Sequence, residues 1–235
     1  MCENKREMNH GMKGEMTRGT KGGFTAGIAR GIVFALMALL AAATQWAQGP
    51  KGWMVRGDHS SEAQDPDAAG AVKIATSGLG FHITTPQAAV FWSPTNTAGG
   101  NYTLKGTFTL LQPTGHAEYY GLIFGGSGLQ GSDQSYLYFV VAEDGTWLVK
   151  HRSGASTDTV VEKAPNAAVK QPDASGKSIN ALEVRVTANK IEFVVNGKVV
   201  GSTPKTGVAA RTDGIYGIRS NHHLEEQVDG FGLSK

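Results

Sequence analysis

The side chains able to do chemistry in this 235-residue chain are carboxylates, histidines and aromatics that stand mostly apart. Hydrolysis of a glycosidic bond usually takes two carboxyl groups, about 5–5.5 Å apart for retention and about 6.5–9.5 Å for inversion. Residues i and i+2 of a strand project from one face and would suit such a pair. Glu118 instead stands single before Tyr119-Tyr120. Glu143 and Asp144 precede Gly145, where a turn accounts for them. Glu225 and Glu226 are adjacent and would point to opposite faces of a strand. His222-His223, flanked by Asn221 and Glu225, could bind a metal. Zinc would want three or four convergent ligands. Adjacent histidines on extended chain diverge, so a polar loop without metal is expected, and His116 and Glu118 could join them only across the fold.

A second chemistry is the recognition of sugars, by aromatic faces flanked by residues that bond hydroxyls. Trp92, Tyr119, Tyr120, Tyr136, Tyr138, Trp147, His151, Arg152, Arg219 and Asn221 supply these types. Tyr136 and Tyr138 share one strand face, as do Trp147, Val149 and His151. A simple hairpin at Glu143–Gly145 would make the two sets neighbours. Trp147 and Tyr138 therefore head the expected binding set, followed by Tyr136, Trp92, Tyr120, Arg152 and Asn221. The competing role for each aromatic is packing in the core. Gly125–Asp133 (GGSGLQGSD) lacks the lysine and following helix of a phosphate loop and reads as a flexible loop. No cofactor is expected, calcium at Asp133 or Asp229 being the alternative. Asn101-Tyr102-Thr103 is a glycosylation sequon.

The elements that must position these groups are strands. In Asn180–Thr203, Leu182, Val184 and Val186 alternate with Glu183, Arg185 and Thr187, the period of a half-buried strand. Asn189-Lys190 turns the chain into Ile191–Val195, and Asn196-Gly197 turns it again into Lys198–Gly201. Tyr102–Leu111 alternates cleanly, with Gly106 on its apolar face marking a bulge or a close approach. Ser135–Ala142 is apolar on both faces and predicts a central strand covered on both sides. Further strands are expected near Trp53–Val55, at Phe81–Thr84, Ala88–Trp92, Tyr119–Phe124, Thr146–Arg152, Asp158–Glu162, Gly214–Arg219 and Gln227–Leu233. Ser61–Gly70, Ser93–Gly100 and Ala164–Lys177 read as loops or turns. No segment after residue 50 shows helical periodicity with caps. The count, roughly eleven to thirteen, fits two packed antiparallel sheets in one all-β domain spanning residues 48–235.

Gly31–Ala43 (GIVFALMALLAAA) is apolar, follows a basic stretch, and ends before Thr44-Gln45. Residues 1–47 thus read as a secretory signal peptide, cleaved after Ala43. The run falls short of the ~20 residues a spanning helix needs, and an uncleaved inner-membrane anchor is the alternative. The protein is expected to be exported, periplasmic or extracellular, with no membrane contact by the mature domain unless the leader stays attached. Beyond Ala47 there are sixteen basic and seventeen acidic residues, so nucleic acid is not an expected partner. Cys2 is the only cysteine, which excludes a disulfide framework or a thiol nucleophile in the mature part and leans towards a bacterial source. The 32 glycines, about double the usual share, fall at turns in no fixed period.

Asn180–Val200 resembles the hairpins N-x-L-x-V … I-x-F-x-V-N-G-x-x-V of the concanavalin A-like lectin/glucanase superfamily, the laminin-G-like jelly roll. Gly214, Gly217, Ile218, Arg219, Val228, Asp229 and Phe231 resemble its closing strands, G-x-x-G-I-R … V-D-x-F. Within the superfamily the chain is most similar to bacterial exported domains of the 3-keto-disaccharide hydrolase type. These motifs are structural: Asn-Gly builds a turn, Asp229 bonds locally and Phe231 fills the core. The E-x-D-x-x-E strand motif of the superfamily's glucanases is missing. The resemblance implies a jelly roll; the first reading of its function is a non-catalytic, exported module that binds a saccharide or surface glycan through an aromatic and polar patch on its concave sheet. Were it a hydrolase on a modified sugar, Glu118, His151, Arg219 or His222 would take part. A third reading is an adhesion module of the cell envelope.

Overall fold

The computed structural model describes residues 49–59 and 64–234. The expected leader, residues 1–47, lies outside them. Fourteen strands follow in order: β1 (Met54–Asp58), β2 (Lys73–Ser77), β3 (Gly80–Thr85), β4 (Ala88–Ala98), β5 (Tyr102–Leu110), β6 (Tyr119–Ser127), β7 (Ser135–Ala142), β8 (Thr146–Ser153), β9 (Ser156–Pro165), β10 (Ser178–Val186), β11 (Lys190–Val195), β12 (Lys198–Pro204), β13 (Gly214–Ser220) and β14 (Leu224–Ser234). They form two seven-stranded sheets. Sheet A has the order β1-β4-β13-β6-β7-β8-β9 and sheet B the order β12-β11-β10-β5-β14-β3-β2. All pairings are antiparallel. The one helical piece among the described residues is the 3-10 turn Gly207–Ala210.

The core lies between the sheets. Phe91, Leu122, Phe139, Val149 and Ile218 of sheet A meet Leu104, Phe108, Leu182, Val184, Phe193 and Val228 of sheet B. Each such side chain contributes about 1.5–3 kcal/mol by leaving water. Gly106 sits where another segment comes close, since a Cβ there would touch Phe108, Leu122 and Phe231. Phe231 packs with Trp53, Phe81 and Tyr216 at the margin of the core. Asn196 (φ 50°) and Gly197 (φ 77°) make the tight turn that the dipeptide predicts. Within the core, Glu226 is fully buried. Ser220 bonds its Oε1, while its Oε2 meets no donor. Burial pushes its carboxyl up to about 8, against the opposing Ser220 bond.

Two expected boundaries differ. Ser93–Gly100 is not a turn cluster, because β4 continues to Ala98. Its partner β13 shifts register between Ile215 (paired with Thr97) and Gly217 (paired with Trp92). Pro94 falls inside this irregularity, where no ladder donor is required of it. The short strand β2 has no counterpart among the expected elements; it lies at the edge of sheet B, against β3.

Candidate functional site

Sheet A has a second apolar layer on its outer face. Val90, Trp92, Ile123, Leu129, Tyr136, Tyr138, Val140 and Leu148 form a cluster separate from the core. The register sets it up. Met54 pairs with Trp92, Trp92 with Gly217, Gly217 with Ile123, Ile123 with Tyr138 and Tyr138 with Lys150. One step along, Arg56 pairs with Val90, Val90 with Arg219, Arg219 with Gly121, and Gly121 with Val140. Since side chains alternate between faces, these two rows line the outer side. The segment 128–134 folds over them: Leu129 is buried in the cluster and the Gly131 carbonyl accepts from Arg56 Nη1 at 2.6 Å. The glycine-rich stretch read as a flexible loop is thus a packed cover.

Arg219 organises this face. Its guanidinium crosses past Gly121 of β6, its partner in the ladder, to reach β7. It lies over the Tyr138 ring, 5.1 Å from the centroid, and its Nη1 donates to the Tyr136 hydroxyl at 3.0 Å. The same nitrogen is 3.5 Å from Asp58 Oδ2. Asp58 Oδ2 is nonetheless buried without a hydrogen-bond partner. Burial raises the Tyr138 hydroxyl above its ordinary value, against the pull of Arg219.

Beside Arg219 opens a polar cleft of about 410 Å³, lined by Asp58, His59, Asp65, Asp67, Arg152, Arg219, Asn221 and His222 among others. Arg152 is held in place by its Nε, which donates to the Gly154 carbonyl at 2.7 Å. Asn221 is fixed by its backbone, which donates to the Tyr119 carbonyl at 2.8 Å.

That last bond extends the β13–β6 ladder past the pairing of Ser220 with Tyr120, and the next residues along are Glu118 and His222. His222 Nε2 lies 2.8 Å from Glu118 Oε1 and 3.1 Å from Asp65 Oδ2. His116 Nδ1 lies 2.9 Å from the same Glu118 oxygen. Both Glu118 and His222 are buried. His223 adopts φ 60°, so the chain is not extended here, and the two histidine rings stay 4.8 Å apart instead of diverging. The polar loop between the closing strands is present, but its two histidines do not diverge as expected.

The structure brings Arg152, Arg219, Asn221 and His222 to one cleft and places Trp92, Tyr136 and Tyr138 beneath the same face. These aromatics are buried, so they form the floor of the face and offer no open stacking surface. Trp147 and Tyr120 need correction: both belong to the core. The β7–β8 hairpin pairs Tyr136 with Arg152, Tyr138 with Lys150 and Val141 with Trp147. Trp147, Val149 and His151 therefore share a face with Leu137, Phe139 and Val141, opposite the tyrosines. Trp147 packs on Phe139 and Phe193, with Gly201 against its indole. The Tyr120 hydroxyl accepts from Asn180 Nδ2 at 3.0 Å. His151 is buried on that inner face, 3.0 Å from Ser135 Oγ. Neither Asp133 nor Asp229 belongs to a group of three potential ligands among the described residues.

Asp58, Asp65 and Asp67 went unnoticed in the sequence. The last two sit in SEAQDPDAAG, whose polarity reads as surface loop. The available signal was Asp65-Pro66-Asp67, two carboxylates spaced by a proline that limits the backbone between them.

No family model and no curated protein matches the chain. Among solved structures it is similar to the carbohydrate-binding module CBM66 from Bacillus subtilis, at 10% identity over 78% of this chain and 96% of the module, TM-score 0.56. A Bacillus subtilis protein of unknown function with a galectin-like fold aligns at 15% identity over 78% of this chain and 89% of that one, TM-score 0.53. A Bacteroides ovatus GH16 enzyme of mixed-linkage glucan, seen with its product, aligns at 9% identity over 77% of this chain and 94% of that one, TM-score 0.53. The fold is the concanavalin A-like jelly roll. No helix among the described residues is long and apolar enough to cross a membrane.

Proposed function

We propose that this chain is an exported saccharide-binding β-sandwich that takes its ligand in the polar cleft on the outer face of sheet A. One observation carries the reading: Asp58 presents a buried carboxylate oxygen without a hydrogen-bond donor, beside the guanidinium of Arg219. Such an oxygen is costly to leave unpaired, and a sugar hydroxyl supplies the missing donor. Arg152, Arg219 and Asn221 surround it with groups that bond neighbouring hydroxyls, over a floor of Tyr136 and Tyr138. Recognition is by hydrogen bonding from a polar wall; the aromatics hold Arg219 in position and do not stack on the ligand. The likeness to CBM66 and to a glucan-acting enzyme supports the reading as an analogy of fold. Residues 1–47 act as the export signal.

A glycan array followed by calorimetry tests this. At least one saccharide is expected to bind, and Asp58→Ala is expected to remove that binding while the far-ultraviolet spectrum stays that of the parent. An array without hits, or binding untouched by Asp58→Ala, would overturn the assignment.

A further inference from the structure

We infer that Asp65, Glu118 and His222 hold one first-row divalent cation of the zinc class. Three separate segments deliver these residues: the β1–β2 connection, the end of the β5–β6 connection, and the β13–β14 turn. One ligand atom from each of Asp65, Glu118 and His222 lies within 4.8 Å of the others. His116 lies against the group, with Nδ1 at 2.9 Å from Glu118 Oε1 and Nε2 at 3.7 Å from Asp65 Oδ1, one nitrogen to each carboxylate.

Hydrogen bonding alone does not satisfy this arrangement. His222 Nε2 faces two carboxylates, at 2.8 and 3.1 Å, yet it carries at most one proton. Glu118 has its second oxygen, Oε2, buried without any hydrogen-bond partner. The Glu118 side chain is only 5% exposed, so water does not make up the deficit. A dication takes His222 Nε2 as a ligand without a proton and draws on the under-bonded Glu118 carboxylate, and two carboxylates balance its charge. Tetrahedral zinc at about 2.0–2.2 Å from each donor sets its ligands roughly 3.3–3.6 Å apart. The two contacts of His222 Nε2, at 2.8 and 3.1 Å, thus need to open by less than about 1 Å. Asp67 Oδ1 lies 3.6 Å from His222 Nδ1, on the other side of the ring. Mixed imidazole and carboxylate donors suit zinc, whereas calcium takes six to eight oxygens.

The cation is measured without any sugar, so this inference stands or falls apart from the saccharide reading. Full-length, tag-free protein, stripped with a chelator, is titrated with Zn²⁺, Mn²⁺ and Ca²⁺ by calorimetry. One zinc per chain is expected, with Glu118→Gln and His222→Ala each weakening it by more than the ~10–100-fold that loss of an outer-shell partner costs. Imidazole resonances of the parent protein give a readout that needs no variant to fold. Zinc should shift those of His222 and His116 and leave those of His82, which pairs with Glu225. No zinc uptake, calcium bound more tightly than zinc, affinity unchanged in both variants, or unmoved His222 resonances would each overturn the site.

Discussion

The two sheets turn very different outer faces to their surroundings. On sheet B the outward residues of β5 are Thr103, Lys105, Thr107 and Thr109, and those of β10 include Glu183 and Arg185, all at least partly exposed. On sheet A the outward residues of β7 are Tyr136, Tyr138 and Val140, all buried, with Arg219 crossing over them. A solvated sheet face asks only for β-forming side chains that tolerate water. A covered face asks for something to cover it, and here that is the segment carrying Leu129. The contrast teaches that sheet A is built on both sides, one side for stability and the other to place charged groups around a cleft.

Substitutions along β8 and at the core test where this division runs. Trp147→Ala is expected to cost about 3–5 kcal/mol in urea denaturation, as an inner-face residue should. A cost under 1 kcal/mol would move Trp147 to the outside and break the contrast. Glu226 makes the second test. Its folded carboxyl is raised to about 8 by burial, from an ordinary value of 4.5. The stability it contributes is therefore full below about pH 4.5 and lost as the pH rises through about 8, by up to a few kcal/mol. Glu226→Gln keeps a partner for Ser220 and should flatten that slope, so parent and variant melting curves should separate progressively towards pH 9.

On the outer face of sheet A, Arg152→Ala should weaken saccharide binding about tenfold, roughly 1.4 kcal/mol, with a small change in melting temperature. The matching substitution on sheet B, Glu183→Ala, breaks its pair with Arg185 (2.8 Å) on a face open to solvent. It should change stability by less than about 1 kcal/mol and leave binding untouched. Equal effects of the two on binding would erase the distinction between the faces.

Much of the fold was legible because period-2 patterning reports burial directly. The alternation of Tyr102–Leu110 and of Leu182–Val186 reappears residue by residue in their inner and outer faces. The double apolarity of Ser135–Ala142 marked the one kind of strand that is covered twice. The site was half legible. Arg152, Arg219, Asn221 and His222 were identifiable as polar groups, but their convergence depends on which strands are neighbours, and β13 lies between β4 and β6, far from both in sequence. Trp147 went astray for a more local reason: hairpin parity depends on the exact turn, and one residue flips a whole set of side chains across the sheet. The pairing of Glu118 with His222 was hidden by a single left-handed backbone conformation at His223, which remains uncommon even for a residue type enriched in it.

The turn at Asn196-Gly197 governs how this protein ages. Asparagine followed by glycine is prone to lose its amide ammonia, because the unhindered next nitrogen can attack the side-chain carbonyl and close a five-membered imide. Here Asn196 Nδ2 donates to the Ala168 carbonyl at 2.8 Å and to Asn180 Oδ1 at 2.9 Å, while its Oδ1 accepts from the Ala181 backbone at 2.9 Å. Ring closure would have to tear the amide from all three anchors, so the same bonds that tie the hairpin to its neighbours also slow its chemical clock.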